Sequence, residues 1–231
     1  MTGNGDDDSP LVTHEATPSR ATPRDANRLV ERLLRYGLGG HGSLQGSKAL
    51  AAKYAADAGF ADDEARVKAL IRSHTLMNFG TGFITGVGGL ITLPVAIPAA
   101  MTASWVIHTR LSGAIATLHG HDIDDDRVQT FVLFTLLGDS GKTVLRKAGI
   151  TVANRIALRG VEAIPGRLLT EINKRVGIRL IARAGERGVL NLTKAVPVAG
   201  GIVGGGVDAL YCNAVGRRAH AVFRPEKLVA G

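Results

Sequence analysis

The sequence predicts an all-α protein: a single helical domain with two glycine-rich apolar helical segments packed at its centre. Apolar residues recur at helical spacing along most of the chain, and no alternating strand pattern of useful length occurs. Aromatic residues make up only 4% of the sequence. Because alanine, glycine and medium-sized aliphatic residues replace large rings, we expect the interior to form by close approach of helices.

The length of 231 residues suits one sizeable domain. We expect a disordered acidic lead over residues 1–22, a helical domain over residues 23–223 and a short tail over residues 224–231. The first residues lack a basic start followed by an apolar run, so we expect no targeting signal there. A single cysteine, Cys212, leaves no internal disulfide and fits a reducing, cytoplasmic compartment.

Two helix starts have clear capping signals. Thr22, followed by Pro23 and Asp25, has the residue types of a helix cap, a first helical position and a first-turn acid. The acidic tract at residues 122–126 precedes an apolar run, which predicts an acid-capped helix.

The least polar part of the chain has no charged residue from Thr75 to Ile107. Its length is that of a membrane span, which needs about 20 apolar residues. Glycines crowd its first half and prolines interrupt its middle, so we expect two helices joined near Thr92. A second glycine-rich segment, residues 195–216, contains a single charge at Asp208.

Both segments have small residues at spacing four, and the stripes that we assign to helix packing are Gly82 with Gly86 and Gly201 with Gly205. Each glycine costs a helix about 1 kcal/mol relative to alanine, so close backbone contact must offset the loss. We therefore predict that the two segments pack against each other. We expect Asp208 to be a buried acid paired with an arginine, with ion or proton handling as the alternative.

Positive charge is concentrated in one part of the chain. The formal net charge is +8, and residues 142–194 hold twelve basic against three acidic residues. Within this part an apolar stripe accompanies a cationic one, formed by Arg175, Arg179, Arg183 and Arg187. The cationic stripe could be a solvated face, a nucleic-acid site or a contact with anionic lipid. We favour lipid, because the region lacks a nucleic-acid-binding module and stacking aromatic residues.

The stretch "GDSGKT", residues 138–143, resembles the end of a nucleotide-binding loop. That motif needs a glycine five positions before the Gly-Lys pair, where this chain has Leu136. We therefore expect no nucleotide site, and interpret Gly138 as the end of one helix and Asp139 or Ser140 as the start of the next.

A divalent metal is the one cofactor for which the sequence offers ligands. His119, His121 and Asp122 have suitable side chains, but their spacing gives no recognisable helical set. The same residues also fit a solvated loop that leads acids into a helix N-terminus. No serine or cysteine nucleophile has a readable partner, so we assign no catalytic residue.

Four stretches resemble the EcsC protein family of bacteria: residues 81–99, 118–128 and 172–209, and the closing "VGRRAHAVF". The similarity covers roughly residues 45–223. The family takes its name from an operon that encodes an ABC transporter, and some members bear a hydrolase label without established catalytic residues. The resemblance implies an α-helical protein at or near the cytoplasmic membrane.

Together these observations predict a non-enzymatic helical protein on the cytoplasmic face of the membrane, attached peripherally or partly inserted. An anionic membrane surface is the expected partner, with a membrane transporter as a second partner. The alternatives are a metal-dependent hydrolase using His119, His121 and Asp122, and a soluble interaction module.

Overall fold

The computed structural model describes residues 22–88, 93–147, 165–191 and 197–225. The expected lead and nearly all of the expected tail lie outside these ranges, so both stay predictions. For some helical residues only the backbone is described. They include residues 79–88, 93–100, 185–191 and 197–205.

The described chain is helical apart from one short hairpin, which confirms the all-α prediction. The elements in chain order are α1 Pro23–Leu33, a π-helical turn Leu34–Leu38, β1 Gly40–His41, β2 Leu44–Gln45, α2 Ser47–Ala55, α3 Asp63–Gly88, α4 Leu93–Leu118, α5 Asp126–Leu137, α6 Asp139–Lys147, α7 Gly166–Asn191 and α8 Pro197–Phe223. The two strands pair antiparallel, with Gly40 opposite Gln45.

The predicted helix caps form. The Thr22 hydroxyl accepts a hydrogen bond from the Asp25 amide at 3.2 Å, and the Asp25 carboxylate accepts one from the Thr22 amide at 3.2 Å. At the start of α5 the Asp125 carboxylate accepts a hydrogen bond from the Arg127 amide at 2.7 Å. Each cap satisfies amide groups that have no partner within the helix.

The long uncharged segment is divided between two helices, as predicted. Helix α3 ends at Gly88 and α4 begins at Leu93, and the expected joint near Thr92 lies outside the described residues. Pro94 is in the first turn of α4, where a missing amide hydrogen breaks no helical hydrogen bond. None of the helices in the described ranges is long and apolar enough to cross a membrane.

Helices α3 and α8 run antiparallel and form the most extensive helix pair of the described chain. Gly216 lies against Ile71, and one turn before it Cys212 lies against Asn78. A Cβ atom at Gly216 would stand 2.8 Å from Ile71 Cγ1, so glycine permits this approach. The predicted packing of the two glycine-rich segments is thereby confirmed at the level of the helices. The individual roles of Gly82, Gly86, Gly201 and Gly205 stay predictions.

The main core lies where α4 and α5 meet α1, α7 and the second half of α8. The apolar stripe of α7 faces this core, and its members are Leu169, Ile172, Val176 and Leu180. Gly177 lies against the backbone of Ala26, where a Cβ atom would stand 2.5 Å from the Ala26 carbonyl oxygen. The close α1–α7 contact therefore depends on a glycine at position 177.

The predicted break between α5 and α6 is also present. Gly138 ends α5 with φ +60°, a backbone conformation that side chains disfavour, and α6 begins at Asp139. The stretch that resembles a nucleotide-binding loop is thus a junction between two helices. The side chain of Lys142 is outside the description.

Candidate functional site

The cationic stripe of α7 is not a continuous exposed surface in the described residues. Arg175 Nε donates to Glu171 Oε1 at 2.9 Å, and Arg183 Nη1 donates to the Leu136 carbonyl oxygen at 3.2 Å. Arg179 is exposed, and the Arg187 side chain is outside the description. Residues at spacing four drift by about 40° per step around a helix. The stripe therefore winds around α7 and turns Arg183 toward α5.

A second surface stands out by its exposed apolar side chains. The large hydrophobic residues that are exposed in the described chain all lie on α3 and α8: Leu76 (62%), Met77 (61%), Val207 (48%) and Leu210 (74%). We call these four residues the apolar face. Because α3 and α8 are adjacent and antiparallel, the four side chains form a contiguous set rather than isolated surface residues.

Basic residues border the apolar face on one side. On α3, Arg72 is exposed one turn before Leu76. On α8, Arg217 is exposed two turns after Leu210 and lies level with Arg72, because Gly216 packs on Ile71. We call Arg72 and Arg217 the basic border. Along both helices the outer surface therefore changes from basic to apolar in the same direction, toward the uncharged halves of α3 and α8.

A cluster of hydrogen-bond donors converges on the C-terminal end of α5. Arg183 Nη1 and Tyr211 Oη donate to the Leu136 carbonyl oxygen at 3.2 and 2.5 Å. Arg218 Nη1 donates to the Thr135 carbonyl oxygen at 3.4 Å. These carbonyls belong to the last turn of a helix, where acceptors lack partners and positive charge is favourable. We call Arg183, Tyr211 and Arg218 the α5 cap.

The predicted metal ligands are separated by the fold. His119 Nε2 lies 3.0 Å from His220 Nδ1, whereas His121 Nε2 donates to the Phe223 carbonyl oxygen at 2.7 Å. Asp122 turns toward Lys48, with Nζ to Oδ1 at 3.9 Å. Within the described ranges no three His, Cys, Asp or Glu side chains are grouped so as to hold a metal ion.

Burial governs the titration of the histidine pair. Burial, followed by the neighbouring imidazole of His220, lowers the pKa of His119 to about 4. Burial also lowers the pKa of His220. Both rings are therefore neutral at pH 7, and one donates its N–H to the other. This pair holds the end of α4 against the last turn of α8.

Asp208 is not the fully buried acid that we expected, because its side chain is partly exposed. Its position one turn before Cys212 has an electrostatic effect. Burial, with a smaller contribution from the Asp208 charge, raises the pKa of the Cys212 thiol to about 12. The thiol is thus protonated at neutral pH and is a poor nucleophile.

Polar side chains also lie inside the α3–α8 pair. Asn78 Nδ2 donates to the His74 carbonyl oxygen at 2.8 Å and approaches Cys212 Sγ at 3.4 Å. His74 is 3% exposed, its Nδ1 donates to the Leu70 carbonyl oxygen at 3.1 Å, and burial lowers its pKa to about 4. The sequence analysis did not single out these residues, because His74 and Asn78 look like ordinary polar positions at the edge of an apolar segment.

Comparison with known protein families matches residues 19–225 to the EcsC protein family. The chain belongs to the EcsC protein family. Comparisons with curated proteins and with solved structures give no match. Function in this EcsC protein is therefore argued from its own residues.

The EcsC match begins earlier than the sequence resemblance, which covered roughly residues 45–223. Its range, residues 19–225, includes α1, the π-helical turn, the hairpin and α2. Helix α1 packs on α7, and the π-helical turn packs on α4. The N-terminal elements are therefore an integral part of the EcsC domain, and the apolar face, the basic border and the α5 cap all lie within it.

Proposed function

We propose that this EcsC protein is a non-enzymatic protein that associates with an anionic membrane surface on the cytoplasmic side. In this proposal the apolar face of α3 and α8 enters the lipid interface, and the basic border contacts the headgroups. The observation that carries the proposal is the position of Leu76, Met77, Val207 and Leu210 on one helix pair, next to Arg72 and Arg217. Interfacial proteins combine apolar and basic residues in this order.

The charge pattern argues for lipid over a second copy of the chain. A self-association surface would bring Arg72 and Arg217 toward the same residues of a partner, and like charges across an interface are unfavourable. An anionic lipid surface instead attracts each basic residue by about 1 kcal/mol. Beyond the apolar face, residues 75–88 of α3 and 197–207 of α8 have no charged side chain.

The α7 arginines have a smaller part in this proposal than the sequence suggested. Arg175 is paired with Glu171 and Arg183 is bonded to α5. Arg179 is the exposed member among those described, and it keeps its proposed lipid contact together with Arg187. The main basic contact is assigned to Arg72 and Arg217.

Sedimentation with vesicles tests the proposal. The wild-type protein should sediment with vesicles of phosphatidylglycerol and phosphatidylcholine, and much less with phosphatidylcholine alone. Replacing Leu76 and Leu210 by Gln removes two of four anchors, each worth about 1.5 kcal/mol, so binding should weaken about a hundredfold. The matched control places Gln at Ala52 and Ala55, two exposed positions of α2.

Two outcomes would contradict the proposal. One is a wild-type protein that remains in the supernatant with anionic vesicles at low salt, which would favour the soluble interaction module, whether or not a transporter is its partner. The other is equal sedimentation of the two double variants. A wash with high salt then separates two modes of attachment, because salt releases electrostatic contacts and leaves apolar insertion in place.

The metal-dependent hydrolase has little structural support. His119 faces His220, His121 faces a backbone carbonyl and Asp122 faces Lys48. We therefore do not develop it further.

A further inference from the structure

We propose that Arg183 and Arg218, brought together at the C-terminal end of α5, bind a phosphate-bearing anion. The inference rests on the proposed function in one respect only, the expected source of the phosphate, which is a lipid headgroup. The binding chemistry is the same for a soluble phosphate compound.

The geometry of the two guanidinium groups leaves donors available. Arg183 comes from α7 and Arg218 from α8, and their acceptors are the carbonyls of consecutive residues, Leu136 and Thr135. The two guanidinium groups are therefore neighbours. Each has five N–H donors in a planar fork and uses Nη1 for the described bond. The remaining edge of such a fork matches two oxygens of a phosphate group.

The charge of the pair is not balanced by acids in the described chain. Other basic residues have carboxylate partners, such as Arg175 with Glu171 and Lys48 with Asp124. No carboxylate among the described residues lies within ion-pair distance of Arg183 or Arg218. The end of α5 contributes only about half a negative charge. An anion with one or two negative charges would compensate the rest.

Both side chains are partly buried, which separates them from ordinary surface arginines. Their donor nitrogens are not among the buried polar atoms that lack a partner, so their remaining N–H groups reach solvent. An anion can therefore enter without a rearrangement of the helices. Partial burial also strengthens the attraction, because the effective dielectric constant is lower than in bulk water.

Gly138 shapes the same place. A Cβ atom at this position would stand 2.8 Å from Arg218 Nη2, so the guanidinium group occupies the space that a side chain would need. The junction that resembles a nucleotide-binding loop in the sequence thus lies beside two arginines. The donors are side chains from α7 and α8 rather than the amides of a glycine-rich loop, so the proposed site differs from a P-loop.

The location agrees with a lipid source. Arg218 follows Arg217 of the basic border, and it lies eight residues beyond Leu210, about 12 Å along the axis of α8. A phosphate held by Arg218 would be displaced from the apolar face toward the basic end of the helix pair. That is the direction in which headgroups lie if the apolar face enters the interface.

Calorimetric titration without membranes tests the site. The probes are inorganic phosphate and dihexanoyl phosphatidic acid below its micelle concentration. Wild-type protein should bind both saturably, and Arg183→Gln and Arg218→Gln should each weaken binding at least tenfold, since each removes charged hydrogen bonds. Arg179→Gln and Arg217→Gln are matched controls, one turn away on α7 and adjacent on α8, and should retain wild-type affinity.

Because the two arginines also cap α5, their loss could disturb the fold. Arg183→Lys and Arg218→Lys keep the positive charge but not the fork, so they should retain a wild-type melting temperature while phosphate binding weakens. The inference is overturned if the wild-type protein does not bind phosphate, if the controls lose as much affinity as the site variants, or if folded Lys variants bind like wild type.

The two proposals fail separately. If vesicle sedimentation depends on Leu76 and Leu210 but phosphate titration shows no binding, the proposed function stands and this site does not. If phosphate binds but vesicles do not, the site stands with a soluble phosphate compound as its ligand. Tighter binding of the phosphatidic acid than of inorganic phosphate identifies the lipid as the source.

Discussion

His119 Nε2 lies 3.0 Å from His220 Nδ1 and joins the end of α4 to the last turn of α8. The two rings stack with their centroids 5.2 Å apart. Such a hydrogen bond needs one ring nitrogen with a proton and one without. Protonation of both rings would replace this bond with repulsion.

Stability should therefore fall in acid. The pKa of His119 is lowered from 6.5 to about 4, so the unfolded chain binds its proton more tightly than the folded chain does. The stabilisation is complete above pH 6.5 and is lost as the pH falls toward 4. His74 has the same sign and adds about 2 kcal/mol over the same range.

Urea unfolding at pH 7 and at pH 4.5 measures this effect. The His119→Gln variant should lose less free energy of unfolding between the two pH values than the wild-type protein, whereas His41→Gln, at an exposed position in the hairpin, should behave like wild type. An unchanged pH dependence in His119→Gln would refute the assignment.

Gly177 should resist substitution. A Cβ atom there would collide with the backbone of Ala26 at 2.5 Å, and a backbone atom cannot move aside as a flexible side chain can. We expect Gly177→Ala to lower the free energy of unfolding by about 1–3 kcal/mol. Gly166→Ala, on the same helix and with no atom within 4 Å, should be neutral or slightly stabilising. Equal stability of the two variants in denaturant titration would show that α1 and α7 are not in close contact.

Gly138 should be sensitive for two reasons that can be separated. Its φ of +60° costs an alanine about 1–3 kcal/mol, and Arg218 occupies the space of a side chain. Gly120 has φ +83° but no atom within 4 Å of a Cβ. Gly120→Ala therefore measures the backbone cost alone, and Gly138→Ala should cost more. Only Gly138→Ala should also reduce phosphate binding, and retained affinity would argue against a role for Gly138 in the site.

The basic border should determine the salt dependence of vesicle binding. Replacing Arg72 and Arg217 by Gln removes two contacts of about 1 kcal/mol each, so affinity for anionic vesicles should fall about thirtyfold at low salt. Replacing Arg24 and Arg28, two exposed arginines of α1, changes the net charge equally. If that control loses as much affinity, net charge rather than position drives binding.

Local features of the fold were predictable from the sequence. Thr22 and Asp125 form caps through residues two or three positions away, and the break at Gly138 needs only a local change of backbone conformation. The apolar stripe of α7 follows from the helical period alone. Each of these signals is contained within one or two helical turns.

The contacts of the candidate sites depend on pairs that are distant in the sequence. His119 meets His220 across 101 residues, and Lys48 meets Asp124 across 76 residues. Helical periodicity says which side chains share a face, but not which helix that face meets. Arg183 illustrates the limit, because its membership of a cationic stripe gave no sign that it bonds to α5.

The pairing of α3 with α8 has a consequence for synthesis of the chain. Asn78 and Cys212 are 134 residues apart, so at 5–20 residues per second the main partner of α3 is completed roughly 7–30 s after α3 itself. During that interval the surface of α3 that α8 will cover, including Leu70 and Ile71, faces the cytosol, a chaperone or a membrane. A ribosome stalled before α8 therefore holds a nascent chain prone to aggregation, and nearby lipid would shelter it until the last helix emerges.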